Sequence, residues 1–165
     1  MDEYVRRAPE INANDKMFNH FRAVWRSMLN QGGERTLLPC IIPPQTGHVD
    51  LVFEFYADPN ILVPVVGTFS SLPFDYYIKA TGKAHARFDV VRNMPFLESK
   101  EISAINMRTL LLNCLTRHYA DLWRKCFDES FTTDSWAKSD PCLANSHFSS
   151  LTPRVDLGHS PAHGL

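Results

Sequence analysis

The sequence lacks an excess of either charge, because 17 lysine and arginine residues face 18 aspartate and glutamate residues and leave a net charge of -1. This balance excludes a basic field over the whole molecule, so an anionic partner has to meet a local patch. The chain also lacks an apolar run long enough to span a bilayer. Its N-terminal residues contain no apolar signal-peptide segment. We therefore expect a cytoplasmic protein with no membrane partner.

The motifs of common catalytic and cofactor sites are missing as well. The four cysteines form no Cys-x-x-Cys pair, and without an export signal we expect reduced thiols rather than disulfides. There is no Gly-x-Gly-x-x-Gly dinucleotide fingerprint and no His-Glu-x-x-His zinc motif. No local pattern sets a nucleophile beside a base and an orienting group. We assign no catalytic residue, no cofactor and no metal to this chain.

What the sequence does contain is typical of a folded domain. Hydrophobic residues make up 44% of the 165 residues and charged residues 21%, which is ordinary for a chain with a buried core. The length fits one domain, or one domain with an appendage. The character of the sequence changes near residues 98 and 132. We predict a recognition-like region over 1–97, a long packing helix over 98–131 and a polar, weakly packed tail over 132–165.

Hydrophobic patterning predicts a small β-sheet. Short apolar or alternating segments at 35–42, 49–56 and 86–93 indicate strands, and Gly or Pro bounds the first and last of them. The segment 17–29 fits a helical face and an alternating strand equally well, so its assignment stays open.

Helical patterning predicts two further units. Asp58 and a following proline open a helix over 58–80, which internal Pro64, Gly67 and Pro73 should divide into two shorter helices with a kink. A long helix over 100–128 carries an apolar stripe. The residues of that stripe are Leu112, Leu115, Tyr119, Leu122 and Cys126. The predicted fold class is α+β, with the sheet packed against the kinked helix and the long helix.

Three segments, 21–44, 69–97 and 110–123, form an ordered combination of motifs. Their order and spacing resemble the target-recognition region of large adenine-specific DNA methyltransferases, the fused enzymes of restriction–modification and phage-defence systems. The residues that match the family pattern are Arg35, Thr36, Pro43, Phe74, Asp75, Tyr76, Gly82, His85, Phe88 and Pro95. The chain departs from that pattern at Ser70, at Lys83-Ala84 and at Arg87, where the family has Asn, a second Gly with Thr, and Asn.

The resemblance implies a DNA-reading module without its catalytic part. Enzymes of that family bind S-adenosylmethionine and use an Asn/Asp-Pro-Pro-Tyr/Phe loop on the flipped adenine. The one Pro-Pro pair here lies in Ile42–Gln45 and lacks both flanking residues. We therefore expect no methyl transfer by this chain alone, with S-adenosylmethionine held by an adenine methyltransferase domain or subunit supplied elsewhere. Whether the chain is a natural subunit, a truncated reading frame or an excised fragment stays open.

The resemblance also implies double-stranded DNA as a partner. A DNA-binding surface needs cationic side chains that contact the phosphates and the edges of the bases. We predict one DNA-binding patch around the Gly82 loop and further cations near the first strands. The loop residues are Lys79, Lys83, His85, Arg87 and Arg92, and the others are Arg22, Arg26 and Arg35.

These residues also have simpler interpretations than DNA binding. The loop cations can form an ordinary solvated face, and Arg35 can bond a neighbouring loop instead of a base. We expect the aromatic residues Phe74, Tyr76 and Tyr77 to pack in the core rather than stack on a base. The alternative function is a structural or protein-interaction remnant of such a methylase with no DNA affinity of its own.

Overall fold

A three-stranded antiparallel sheet lies at the centre of the molecule. The computed structural model describes residues 6–96, 98–138, 148 and 151. The five strands are β1 Glu10–Asn12, β2 Asp15–Lys16, β3 Arg22–Arg26, β4 Pro39–Ile42 and β5 Val52–Tyr56. In the three-stranded sheet β3 is central, and its neighbours run antiparallel to it in the order β4-β3-β5. β1 and β2 form a separate antiparallel hairpin. With the helices described below, this confirms the predicted α+β class.

The central strand comes from the segment whose pattern was ambiguous. β3 fills the middle of 17–29 and is buried on both faces over Arg22–Trp25, so it shows no polar and apolar alternation. The strand predicted over 35–42 is present only at its end, because the backbone N–H groups of Thr36 and Leu37 bind the carboxylate of Asp75 instead of a strand. The strand predicted over 49–56 begins later, because Leu51 adopts a left-handed backbone with φ 69°.

The strand predicted over 86–93 is wrong. A single helical turn, α3 Phe88–Val91, occupies most of this segment. The amides of Val90 and Val91 both bind the carbonyl of Arg87, and both valine side chains are buried. Adjacent residues can both reach one core from a helical turn but not from an alternating strand, so packing outweighs the strand preference of valine here.

The kinked helical pair predicted over 58–80 is confirmed as α1 Pro59–Phe69 and α2 Leu72–Ala80, bent by 68°. Asp58 caps α1 by accepting a hydrogen bond of 2.9 Å from the amide of Asn60. Pro64 and Gly67 lie inside α1 and do not interrupt it. The break falls immediately before α2, where Pro73 lies in the first turn and is tolerated.

The helix predicted over 100–128 is two helices, α4 Ile102–Asn113 and α5 Ala120–Cys126, separated by a 3₁₀ turn at Arg117–Tyr119. The carbonyl of Cys114 accepts a 2.9 Å hydrogen bond from the Trp123 indole, which replaces the helical bond lost at the break. The predicted apolar stripe is therefore divided. Leu122 and Cys126 are buried, whereas Leu112 and Leu115 are exposed.

Two hydrophobic clusters hold these elements together. The first joins the sheet to α1, α4 and α5, and it includes residues from both sides of the boundary predicted at 97 and 98. The second lies between the sheet, α2 and α3. The main members of the first are Ala23, Ile41, Leu62, Val66, Met107, Leu110, Leu122 and Phe131. The main members of the second are Trp25, Leu37, Phe69, Ile78, Ala86, Val90 and Met94.

The described part of the predicted tail makes specific contacts. Arg108 of α4 binds both carboxylate oxygens of Asp134, at 2.6 and 3.2 Å. The rings of Trp136 and Phe148 meet edge to face with centroids 5.3 Å apart, and Phe148 is buried. Residues 139–147, 149–150 and 152–165 of the predicted tail lie outside the described residues.

Within the described ranges, no single helix has both the length and the apolar character to cross a membrane. The bent pair α1 and α2 meets those two criteria only when its helices are taken together.

The crossing of α1 and α4 generates a stability prediction at Gly67. A Cβ atom there would lie 2.1 Å from Thr109 Oγ1 and 2.6 Å from Ile105 Cγ2. We expect Gly67→Ala to lower the free energy of unfolding by about 1–3 kcal/mol, the usual cost of overpacking a core, because both contacting side chains are β-branched and stiff. Urea unfolding measures the change.

The matched control for Gly67→Ala is Gly32→Ala, where the nearest heavy atom to the added Cβ is 3.8 Å away. It should leave stability within about 0.5 kcal/mol of the parent. A Gly67→Ala variant as stable as the parent would contradict the close helix contact.

Candidate nucleic-acid interface

Two extended segments pair beyond the end of β3 and form the predicted loop region. Met28 and His85 make an isolated antiparallel bridge, closed by hydrogen bonds from Leu29 N to the Ala84 carbonyl at 2.9 Å and from Ala86 N to the Ser27 carbonyl at 2.8 Å. The side-chain amide of Gln31 donates a further hydrogen bond of 2.7 Å to the Lys83 carbonyl. We call residues 26–31 and 83–87 the basic ribbon.

The basic ribbon has one buried face and one open face. Ser27 and Ala86 are buried, and the Trp25 indole donates a 2.7 Å hydrogen bond to the Ala86 carbonyl. Because side chains alternate along extended chains, the residues one position away point to the opposite face. Arg26 and Arg87 lie two residues from the bridged pair, one on each segment, and both are exposed. The exposed residues of the ribbon include Arg26, Met28, Lys83 and Arg87, whereas the half-buried His85 places its Nδ1 3.2 Å from the Oγ of the buried Ser27.

Glycine is required at the turn that leads from α2 into the ribbon. Gly82 has φ 62°, and its amide binds the Lys79 carbonyl at 3.0 Å. This left-handed conformation at the end of a helix costs glycine little and other residues more. The turn ends α2 and directs the chain into the ribbon at Lys83.

Ion pairing limits the free charge of the open face. Lys83 Nζ lies 3.0 Å from Asp89 Oδ2, and both side chains are exposed. The hydrogen bond from Lys83 lowers the pKa of Asp89, so this carboxylate stays charged at neutral pH. Arg26 uses Nε to bind the Met28 carbonyl at 2.8 Å, which leaves its terminal nitrogens for other partners. Arg87 and Arg92 are exposed.

Three of the predicted DNA-binding cations have structural partners instead. Lys79 donates to the carbonyls of Gly33 and Glu34, each at 2.9 Å. Arg35 donates to the Ser70 carbonyl. Arg22 is fully buried and binds Glu54 and the Thr46 carbonyl. The structure therefore brings Arg26, Lys83, His85 and Arg87 together on the ribbon and sets Lys79, Arg35 and Arg22 apart from them.

The buried carboxylate of Asp75 organises the loop that carries Arg35. Its Oδ1 accepts hydrogen bonds from the amides of Thr36 and Leu37, at 2.7 and 2.9 Å. Arg35 and Lys79 lie 3.8 and 3.6 Å from its oxygens. Burial raises the pKa of Asp75, but these two hydrogen bonds and the two cations outweigh burial and hold the pKa below its ordinary value.

The aromatic residues are placed differently from expectation. Phe74 packs on Phe69 with ring centroids 5.7 Å apart, but Tyr76 and Tyr77 are exposed, so the predicted core position is wrong for both tyrosines. Phe88 is 46% exposed although it belongs to the aromatic cluster of Trp25 and Phe53. The sequence analysis matched Phe88 to the family pattern and did not predict its surface exposure. Its position directly after Arg87 was the available signal.

The described cysteines offer no activated nucleophile. Burial raises the pKa of Cys114 to about 12 and that of Cys126 to about 11, so both thiols are protonated at neutral pH. Among the residues that the structure describes, no group of three or more His, Cys, Asp or Glu side chains is arranged to hold a metal ion.

Comparisons with protein-family models, with curated proteins and with solved structures found no match to this chain.

The Asp75 site generates a prediction of pH-dependent stability. Because its folded pKa is lowered, the carboxylate contributes stability above about pH 4, and this contribution is lost as the pH falls through the lowered value. We expect Asp75→Asn to lower the free energy of unfolding at pH 7 by about 1–3 kcal/mol, because the amide removes the charge beside Arg35 and Lys79 and weakens the two backbone bonds.

Urea unfolding at pH 7 and at pH 3 tests this prediction. Stability should fall less between the two pH values in Asp75→Asn than in the parent. The exposed Asp50 supplies the control, since Asp50→Asn removes a surface carboxylate and leaves the contacts of Asp75 in place. An equal loss of stability at both pH values in Asp75→Asn would show that the carboxylate charge makes no contribution.

Proposed function

We propose that this protein recognises double-stranded DNA and positions it for an adenine-specific methyltransferase domain supplied elsewhere. The observation that carries the DNA-binding part is the open face of the basic ribbon. Arg26, Lys83 and Arg87 are exposed on the two segments that the Met28–His85 bridge joins.

The shape of the ribbon suits a duplex. A two-stranded β-ribbon fits the major groove of B-DNA, where each base pair presents a distinct pattern of donors and acceptors. The ammonium group of lysine and the guanidinium group of arginine both bind phosphates. The guanidinium group can also donate two hydrogen bonds, as a fork, to the two acceptors of guanine. Arg26 supplies such a fork, while Lys83 and Arg87 supply charges for the phosphate backbone.

The methylase part of the proposal is supported by the motif order described above. Arg35, Thr36 and Asp75 match the family pattern, and in this fold they contact one another. The pattern thus corresponds to a structural connection between the loop before β4 and helix α2. The S-adenosylmethionine site would belong to the partner domain, and this chain would supply DNA contacts only.

A paired substitution tests DNA binding. We expect the parent to bind duplex DNA with an affinity that falls steeply as salt rises, because phosphate contacts release counterions. Lys83→Ala with Arg87→Ala should weaken binding at least about tenfold at low salt and reduce the slope of log K against log salt by about 2, one for each phosphate contact. Fluorescence anisotropy with a labelled duplex measures both quantities.

A double variant on α5, Arg124→Ala with Lys125→Ala, is the control because both side chains are exposed and it changes the net charge by the same amount. It should keep most of the parent's affinity. Equal losses in the two double variants would contradict a specific role for the ribbon. Absence of salt-dependent binding in the parent would refute the proposed function.

Removal of Asp89 should have the opposite effect. Its carboxylate competes with phosphate for Lys83 and repels the DNA backbone. We expect Asp89→Asn to raise the affinity for duplex DNA about two- to fivefold at low salt, the range of an exposed ion pair, with a smaller gain at high salt. The same anisotropy titration measures the gain, and weaker binding by Asp89→Asn would count against Lys83 as a phosphate ligand.

A second candidate function, a protein-interaction module with no DNA affinity, is favoured by the outer face of α2. Leu72 and Tyr76 lie one helical turn apart there and are 70% and 74% exposed. The salt titration separates the two candidates, because binding through apolar surface does not weaken as salt rises.

A further inference from the structure

Phe88 is an exposed residue whose aromatic ring packs against two other aromatic rings. It meets Trp25 edge to face at 5.4 Å and 81°, and Phe53 at 5.4 Å and 72°. Trp25 is itself fixed by the hydrogen bond from its indole to the Ala86 carbonyl. Two buried or half-buried aromatic partners therefore fix the ring, yet 46% of the residue stays open to solvent.

Cations lie on both sides of this ring along the chain. Arg87 precedes it at the end of the basic ribbon. Arg92 lies one helical turn later, and its amide binds the Phe88 carbonyl at 2.9 Å, so the two residues are neighbours on the surface of that turn. Both arginines are exposed. The neighbouring carboxylate of Asp89 is engaged by Lys83 at 3.0 Å.

A partly exposed aromatic ring with exposed arginines at neighbouring positions of the same turn matches the chemistry of a nucleobase attached to phosphates. Bases stack on exposed aromatic rings, and adjacent cations bind the backbone on either side. The ring is rigid before binding, so stacking costs little side-chain entropy. A fully paired duplex keeps its bases stacked on each other, whereas an unpaired base is free to stack on protein.

The exposed tyrosines of α2 fit this chemistry less well. Lys79 is the lysine of that helix, and its ammonium is held by the carbonyls of Gly33 and Glu34. Tyr76 therefore provides an exposed aromatic ring in a different electrostatic setting, which makes it a matched control for Phe88.

We propose that Phe88 is a stacking site for an unpaired nucleobase, flanked by Arg87 and Arg92 as phosphate ligands. This inference rests on the proposed DNA-binding function and adds a preference to it. The protein binds a duplex that contains an unpaired nucleotide more tightly than the same duplex fully paired.

Anisotropy titrations of two labelled duplexes, identical except for a single-nucleotide bulge in one, test the preference. We expect the parent to bind the bulged duplex about fivefold or more tightly, the effect of one base stacked on an aromatic ring. Phe88→Leu keeps an apolar side chain against Trp25 and should bind both duplexes with nearly equal affinity, close to that of the parent for the paired duplex. Tyr76→Leu should keep the preference of the parent.

Each other outcome is decisive. Equal affinity of the parent for the two duplexes, or a preference that survives in Phe88→Leu, overturns the stacking site and leaves the proposed function standing. No salt-dependent binding of either duplex by the parent overturns both. Thermal unfolding of each variant monitored by circular dichroism verifies the fold. If Phe88→Leu unfolds, Arg92→Ala replaces it, and a parent-like affinity of that variant for the bulged duplex overturns Arg92 as a phosphate ligand of the site.

Discussion

The binding of one buried carboxylate fixes the geometry on which the rest of this structure depends. Asp75 faces inward from α2 and holds the amides of Thr36 and Leu37, so the loop before β4 is attached to the helix rather than to the sheet. A carboxylate buried without such partners would cost several kcal/mol, and here two N–H donors and two cations compensate for that cost. Because α2 leads through Gly82 into the basic ribbon, this attachment also helps to position the ribbon beside β3.

The cations of this protein divide into two groups with different physical roles. Arg22, Arg35 and Lys79 have their polar atoms bound to carbonyls or carboxylates of the fold. Such cations are poor ligands for an incoming phosphate, since binding would first require breaking these bonds. Lys83 and Arg87 are exposed, and the ion pair that Lys83 makes with Asp89 is itself exposed to solvent and contributes little.

The sequence predicted the fold class and the kinked helix pair because the signals there are local. The Asp58 cap and the prolines near the start of each helix act within a few residues. The strand prediction for 86–93 was wrong because two adjacent valines are typical of a strand. The helical turn forms because it lets both valines pack in the second hydrophobic cluster. The prediction of one continuous helix over 100–128 was wrong for a similar reason. The break is stabilised by the indole of Trp123, which lies nine residues from Cys114.

The candidate site could be predicted in part. Residues Lys83, His85 and Arg87 alternate, a spacing that predicts one shared face of an extended chain, but only Lys83 and Arg87 are exposed, since the half-buried His85 meets Ser27. The segment bridged to them at Met28 lies far earlier in the sequence, and no local pattern connects the two segments. The structural roles of Lys79 and Arg35 also depend on long-range contacts. Pattern thus indicates which residues share a face, while tertiary pairing decides which of them remain free.

The hydrogen bond from the Trp25 indole to the Ala86 carbonyl gives this surface an intrinsic optical reporter. The indole is buried beside Phe88, and the carbonyl that it binds belongs to the residue before Arg87. Emission from a tryptophan shifts and changes in intensity when the polarity around its ring changes. Rearrangement of residues 84–87 would therefore change the contribution of this side chain to the intrinsic fluorescence without any added label.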